Sequence, residues 1–460
     1  MGKKNTIYVC TECGYESLKY WGKCPECGNW NTLKEVGEKL LKNINGRASA
    51  AAPAETTRLG DVQITDEDRF STDIPELDRV LGGGIVRSSL VLVGGEPGIG
   101  KSTLLMQAAS SVSLKNKSVI YATAEESLSQ LKGRLDRLNL DGSSILVSAT
   151  TDMDSIIATA EKNEADLLIV DSIQTVRAAG IDSAAGTLTQ VRECTSMLMN
   201  LAKTSGCAVF IVGHVTKQGT IAGPKTIEHM VDTVMYFENE ARSFLRILRL
   251  NKNRFGSSEE IGVFEMSAEG LKCVPNPSNI LLEDRNNRTS GSVVCAVMEG
   301  NRAILAEVQA LASESSFQVP RRIATGYEYN RFVMILAVLE KMTGIKLDSL
   351  DIYLNVVGGV RIRETSSDLA IACAVVSSVM NRAVKPGFVI IGEIGLCGEI
   401  RNPGNVDRRI REAAALGFNT ALIPKGSLKD ASLRNQMEVI EISTLKQGIY
   451  RMFNSEKAGE

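Results

Sequence analysis

Leu90-Val-Leu-Val-Gly-Gly-Glu-Pro-Gly-Ile-Gly-Lys-Ser-Thr103 is the stretch whose reading decides the fold. Inside it, Gly95-Glu96-Pro97-Gly98-Ile99-Gly100-Lys101-Ser102 fits the pattern G-x-x-x-x-G-K-[ST]. Residues 90–94 read as a buried strand and 103–113 as a helix. In that context the glycines let successive backbone N–H groups wrap phosphates, and the helix N-terminus adds a favourable dipole. Lys101 is expected to contact the β- and γ-phosphates of ATP. The Ser102 hydroxyl is expected to ligate Mg²⁺, with Gly95 through Thr103 as the nucleotide-binding stretch.

Working outward, short apolar runs recur at 90–93, 119–122, 167–170, 208–212 and 233–237, separated by amphipathic segments. This rhythm predicts an α/β domain over 58–275, a mostly parallel sheet with helices on both faces. Leu167-Leu-Ile-Val-Asp171 places Asp171 at a strand tip beside the phosphate loop, as a second group for Mg²⁺ through water. The strand at 119–122 leads into Thr123-Ala-Glu125-Glu126. A carboxylate there is expected to orient and deprotonate the attacking water, Glu125 ahead of Glu126. His214 closes the strand at 208–213, where a polar side chain can sense the γ-phosphate.

Near the N-terminus, Cys10-x-x-Cys13 and Cys24-x-x-Cys27 form two knuckles, with Gly14 and Gly28 permitting the turns. Four thiolates suit one tetrahedral, structural Zn²⁺. A 1–34 module has too little core to fold without metal. Residues 35–57 run into Ala-Ser-Ala-Ala-Ala-Pro and read as a linker. The other cysteines (Cys194, Cys207, Cys273, Cys295, Cys373 and Cys397) stand singly and read as core residues. Pro275 and Pro277 precede a second α/β unit over 276–460, with strands near 293–297, 303–309 and 351–357 and helices at 368–380 and 406–415.

The bulk numbers fit several globular domains. The chain has 460 residues, 43% apolar and 23% charged, with a formal net charge of −2. That balance excludes a wholly basic coat, so any nucleic-acid site is a local patch. The two histidines exclude a histidine-cluster mechanism. No leader-like or membrane-length apolar run is seen, which predicts a cytoplasmic location and no membrane partner.

The order of zinc knuckle, linker, phosphate loop, paired glutamates and strand-end aspartate, followed by Lys252-Asn253-Arg254-Phe255-Gly256, resembles the bacterial RadA (Sms) family. That resemblance spans essentially the whole chain and implies a RecA-like P-loop ATPase core. It implies a C-terminal domain similar to the Lon protease domain, carried by Asp351-Ile-Tyr-Leu-Asn, Asp368-Leu-Ala-Ile-Ala and Gly392-Glu-Ile-Gly-Leu-Cys-Gly. It further implies a DNA-dependent ATPase of homologous recombination, a nucleoid-associated, ring-forming motor. Such a motor binds single-stranded and branched DNA and promotes branch migration, with RecA or a replicative helicase as possible partners. A hexamer is expected.

In such rings a neighbouring subunit supplies cations to the nucleotide. Lys252 and Arg254, flanking a short loop after a strand at 244–250, are expected in that role. The glycine-rich loop carrying Lys217 and Lys225 is expected to contact DNA phosphates. Lys385, Arg401, Arg408, Arg409 and Arg411 are candidates for a basic face on the Lon-like domain. Alignment with the Lon nucleophile helix puts Asp368 where the serine stands and Asp407 where the lysine stands, with Ser366 and Ser367 nearby. Peptidase activity is therefore not expected. An ATP-dependent protease and a nucleotide-switched signalling ATPase that never meets DNA remain the alternatives.

Overall fold

The computed structural model describes residues 7–10, 15–17, 19–26, 28–36, 58, 69–214, 227–239, 245–282 and 289–453. It divides into two compact units, Met1–Glu238 with Ile247–Cys273, and Asn239–Arg246 with Val274–Glu460.

In the first unit, nine described strands form one sheet. From one edge the order is Ile145–Ala149, Val119–Thr123, Leu167–Asp171, Ala208–His214, Leu90–Gly95, Thr233–Asn239, Leu245–Asn253, Ile261–Ser267 and Gly270–Cys273. The first six run parallel. Side chains of a strand alternate between faces, and the core divides accordingly. Val91, Val93, Val119, Tyr121, Ile169, Phe210 and Val212 pack on one face. Leu90, Leu92, Ile120, Ala122, Leu168, Val170, Val209 and Ile211 pack on the other. Both faces are covered, so every second residue cannot be polar, and the strands are continuous apolar runs. The edge strand Ile145–Ala149 is largely exposed beyond its first residue, and its short apolar run had no strong signature.

Two boundaries differ from expectation. The helix after the phosphate loop is Lys101–Ser113, beginning at Lys101 rather than at 103, because Gly100 at φ +118° turns the chain into it. The strand anticipated at 244–250 runs as Leu245–Asn253, so Lys252 and Asn253 are strand residues rather than the flanks of a loop.

A three-stranded sheet of Ile7–Cys10, Glu16–Ser17 and Leu33–Val36 forms the N-terminal ribbon. Among the described residues no helix is long and apolar enough to cross a membrane.

The second unit has a seven-stranded sheet: Arg322–Thr325, Leu350–Val356, Arg302–Glu314, Ser292–Glu299, Phe388–Ile390, Thr420–Pro424 and Glu438–Ile442. Helix Asp368–Val379 is buried along nearly its whole length, as its apolar run demands. Helix Val406–Ala415 turns Val406, Arg409, Ile410 and Ala413 inward at helical spacing. Arg409 is therefore removed from the anticipated basic face: it is 1% exposed. Its guanidinium grips Glu364 through bonds of 2.6 and 2.8 Å and donates to Ala296 O at 2.6 Å, Ser366 Oγ at 2.9 Å and Gly404 O at 3.1 Å. Arg401 is paired with Glu399 and Arg411 with Asp430, while Arg408 bonds Asn301. Arg409→Ala strips a partly buried carboxylate and a buried carbonyl of their partner and removes a fully buried side chain. It is expected to lower stability by about 2–4 kcal/mol, read as a shifted urea midpoint.

Candidate nucleotide site and metal ribbon

Four parallel strands end side by side. In the ladder, Thr123 pairs with Asp171, and His214 pairs with Gly95. Their C-terminal tips carry the side chains named above, in the crevice where open α/β sheets place ligands.

The loop between strand Leu90–Gly95 and helix Lys101–Ser113 is shaped by three glycines at positive φ: Gly95 (+147°), Gly98 (+77°) and Gly100 (+118°). A Cβ on Gly95 would stand 3.0 Å from Phe237 O, and one on Gly100 2.9 Å from Met266 Cε. Ile99 is buried and anchors the loop in the core, while Glu96, Pro97 and Gly98 are exposed. No side chain caps the helix at Gly100, so its first N–H groups face the loop. This cradle fits a polyphosphate. Ser102 and Thr103 follow in the first helical turn.

Lys101 is 3% exposed. Its ammonium donates to Gly95 O at 2.9 Å and Glu96 O at 3.0 Å and lies 3.3 Å from His214 Nδ1. Burial pulls its pKa below the ordinary lysine range, opposed by the charges of Asp171 and Glu125. The other ring nitrogen of His214, Nε2, lies 3.2 Å from Glu125 Oε1, which also accepts from Ser172 Oγ. The His214 contact is the main cause holding the Glu125 carboxyl below its usual range, working with Ser172 against burial. Lys101, His214, Glu125 and Ser172 thus form one polar chain across three strand tips. Asp171, 7% exposed, accepts from the Tyr121 hydroxyl at 2.6 Å. Burial, then the adjacent Asp171 charge, pushes the Tyr121 phenol well above 10.0, so it stays a proton donor.

The adjacent glutamates part company. Glu126 is instead bound by Arg134 of helix Leu128–Arg137. Neither Ser172 nor Tyr121 was singled out from sequence. Ser172 directly follows the strand-end aspartate, and Tyr121 is the aromatic residue of the strand Val119–Thr123, which is the signal that marks it.

Lys252 donates to the carbonyls of Glu228 and Val231, both at 2.8 Å, and His229 at 3.3 Å. Burial, then the nearby Arg254, lowers its pKa. Arg254 pairs with Asp232 at 3.1 Å and is half exposed. Asn253 Oδ1 accepts from Phe255 N at 3.0 Å, and the Phe255 carbonyl accepts from Arg69 at 2.8 Å, which fixes the turn into Gly256. Lys217 and Lys225 lie outside the described residues, as do Cys13 and Cys27.

The ribbon's two knuckles are built alike. Cys10 N–H donates to Tyr15 O and Cys24 N–H to Asn29 O, both at 2.9 Å. Gly28, at φ +72°, also donates to Cys24 O at 2.9 Å. Cys10 and Cys24 are buried together with Leu33. Two thiols brought into one small cluster, each opening a tight turn, fit a shared metal ion.

In the Lon-like unit, Asp368 is fully buried and accepts from Arg331, Tyr327 and Ile394 N. Burial raises its pKa against those bonds. Asp407 accepts from the backbone of Lys429 at 2.9 Å and Asp430 at 3.3 Å. Ser366 is fully buried and bonded to Glu364 at 2.6 Å.

Family models match three segments: an AAA domain over residues 53–220, a rubredoxin metal-binding domain over 8–35, and subunit ChlI of Mg-chelatase over 331–427. The DNA repair protein RadA of Halalkalibacterium halodurans is 49% identical, covering 98% of this chain and 99% of its own. RadA of Bacillus subtilis is 46% identical over 98% and 99%. Among solved structures, the RadB recombinase is 22% identical with a TM-score of 0.36, covering 44% of this chain and 99% of its own. The identity to the two RadA proteins over nearly the full length of both chains makes this chain a member of the RadA family of DNA repair proteins.

Proposed function

We propose that this chain is a DNA-stimulated ATP hydrolase that promotes branch migration on single-stranded and branched DNA during recombination, working as a homohexameric ring in the bacterial cytoplasm at the nucleoid. The observation that carries the hydrolase reading is the continuous contact from Lys101 through His214 to Glu125. It ties the cation of the phosphate loop to the carboxylate that follows the third strand along the sheet, Val119–Thr123. Gly95 through Thr103 cradle the nucleotide, and Ser102 and Asp171 hold Mg²⁺, with Tyr121 keeping the Asp171 carboxylate aimed. Bound Mg²⁺ supplies charge neutralisation to the phosphates. Glu125, kept ionised by His214 and Ser172, orients the attacking water and accepts its proton. Glu126 is the weaker candidate for that task, since Arg134 already occupies it.

The DNA reading is supported by family membership. Lys252 and Arg254 complete a neighbour's site, exchanging their present partners for its nucleotide, and Lys217 and Lys225 bind the DNA backbone. RecA and a replicative helicase are the proposed partners. The direct test is a labelled four-way or three-strand junction incubated with the chain and ATP. Branch migration is expected with ATP and none with Lys101→Ala. Failure to move any junction while hydrolysing ATP would sink the motor reading.

Lys252→Ala and Arg254→Ala are each expected to lower DNA-coupled hydrolysis at least tenfold. Mixing either with the Lys101→Ala chain is expected to restore part of the rate, because each subunit supplies what the other lacks. No recovery at any ratio, with mixed rings verified, contradicts a role in trans.

Cys10, Cys13, Cys24 and Cys27 together hold one Zn²⁺ per chain. Elemental analysis of chelator-free protein is expected to find it, and a metal-free result refutes the ligand set. The Lon-like unit acts as a scaffold without peptidase activity. A buried Asp368 locked by Arg331 is no nucleophile, and Asp407 is spent on backbone N–H groups. ATP-stimulated peptide cleavage lost on changing Ser366 or Ser367 would restore the protease reading.

A further inference from the structure

Trp21 and Trp30 are the chain's two tryptophans. Both sit in the metal ribbon, 45% and 70% exposed. Large indole rings are normally mostly buried, so a pair left outside in one small module points to a ligand. Lys19, Trp21 and Lys23 alternate along the chain, and Lys23 faces Trp30 across an antiparallel bridge. Residues facing each other across such a bridge share one side. The Lys19 ammonium stands 5.3 Å from the Trp21 ring centroid, and that of Lys23 stands 5.8 Å from the Trp30 centroid, so each ring carries a lysine. Trp21 Nε1 donates to Ser17 Oγ at 3.1 Å, and Asn31 N donates to Gly22 O at 2.8 Å, which holds the two arms together. Tyr20, at the alternate position, turns to Tyr8, with centroids 5.5 Å apart.

We propose that this face is a second nucleic-acid contact, in which Trp21 and Trp30 stack on unpaired bases while Lys19 and Lys23 take the adjacent phosphates. Each exposed ring has its own flexible cation, which is the pairing a single strand requires: a π-face for the base and a charge for the backbone. A duplex keeps its base faces stacked away. The inference rests on the proposed function only for DNA, rather than RNA, as the source of the strand.

The two rings are also the natural probe, because tryptophan emission from the full chain comes from this face alone. Oligo-dT, oligo-rU and an abasic oligonucleotide of equal length and charge are titrated at low salt, with binding followed in parallel by anisotropy. Saturable quenching is expected with the base-bearing strands and none with the abasic one, and the stronger of dT and rU names the source. Trp21→Ala with Trp30→Ala is expected to weaken binding of a short oligonucleotide about tenfold. Phenylalanine at both positions is expected to restore most of that loss, with zinc content unchanged throughout. Unaltered emission at concentrations that saturate anisotropy, equal quenching by the abasic strand, or unchanged affinity in the alanine variant each overturns the proposal and leaves the face to a protein partner. Loss of quenching with DNA-stimulated hydrolysis intact overturns this contact alone; loss of both overturns the DNA reading beneath it.

Discussion

Lys101→Ala is expected to reduce ATP hydrolysis by a factor of about 10³ or more, without changing zinc content or the far-UV spectrum. The ammonium is 3% exposed and already aimed into the loop by the carbonyls of Gly95 and Glu96. Its partners are two backbone carbonyls of the same loop and the His214 ring, so the charge is held in place without a carboxylate in contact. Asp171 and Glu125 act on it only through space. A cation pre-set in a partly dehydrated cradle interacts with developing phosphate charge far more strongly than one in water. Alanine removes that charge and leaves His214 without its Nδ1 neighbour, so the contact to Glu125 loosens too. Hydrolysis near the parental rate in this variant would contradict the assignment of the loop.

Two further variants separate adjacent carboxylates. Glu125→Gln is expected to slow hydrolysis by about 10²–10⁴-fold while nucleotide binding persists, because glutamine keeps the shape but cannot accept the proton. Glu126→Gln is expected to stay within about threefold of the parental rate. Its side chain is paired with Arg134 of helix Leu128–Arg137 rather than with His214 and Ser172, so the change loses that pairing and not the carboxylate joined to Lys101 through His214. Single-turnover rates with matched nucleotide affinities make the comparison. Equal losses in the two variants, or a larger one at Glu126, would contradict the contact chain through His214.

The contrast between those neighbours shows where the sequence ran out. Gly95 through Ser102 was legible because the spacing of glycines, lysine and serine is dictated by phosphate geometry. Asp171 was legible because a carboxylate ending a four-residue apolar run must lie at a strand tip. Which of Glu125 and Glu126 reaches His214 depends on Ser172, 47 residues further on, and on Arg134, on the next helix. Arg409 was misread for a different reason. The run Val406-Asp-Arg-Arg-Ile-Arg411 looks like a solvated helix face. Yet Arg409 shares the inward stripe with Ile410 and Ala413, where Glu364 waits for it. Helical spacing alone marks that position as inward; only the partner, 45 residues earlier, explains why an arginine stands there. Lys252 was misplaced because the strand carrying it outlasts its apolar residues. The ammonium bonds three carbonyls that no local pattern identifies.

The central claim is that hydrolysis at this site answers to DNA. The most direct measurement is the steady-state ATPase rate of the zinc-loaded full chain, titrated with single-stranded and branched DNA at low salt and repeated as salt is raised. The account predicts a rate that rises with DNA and a stimulation that weakens with increasing salt. A rate indifferent to every DNA structure, in protein whose Lys101→Ala variant is inactive, would contradict it and leave a nucleotide-switched ATPase in its place.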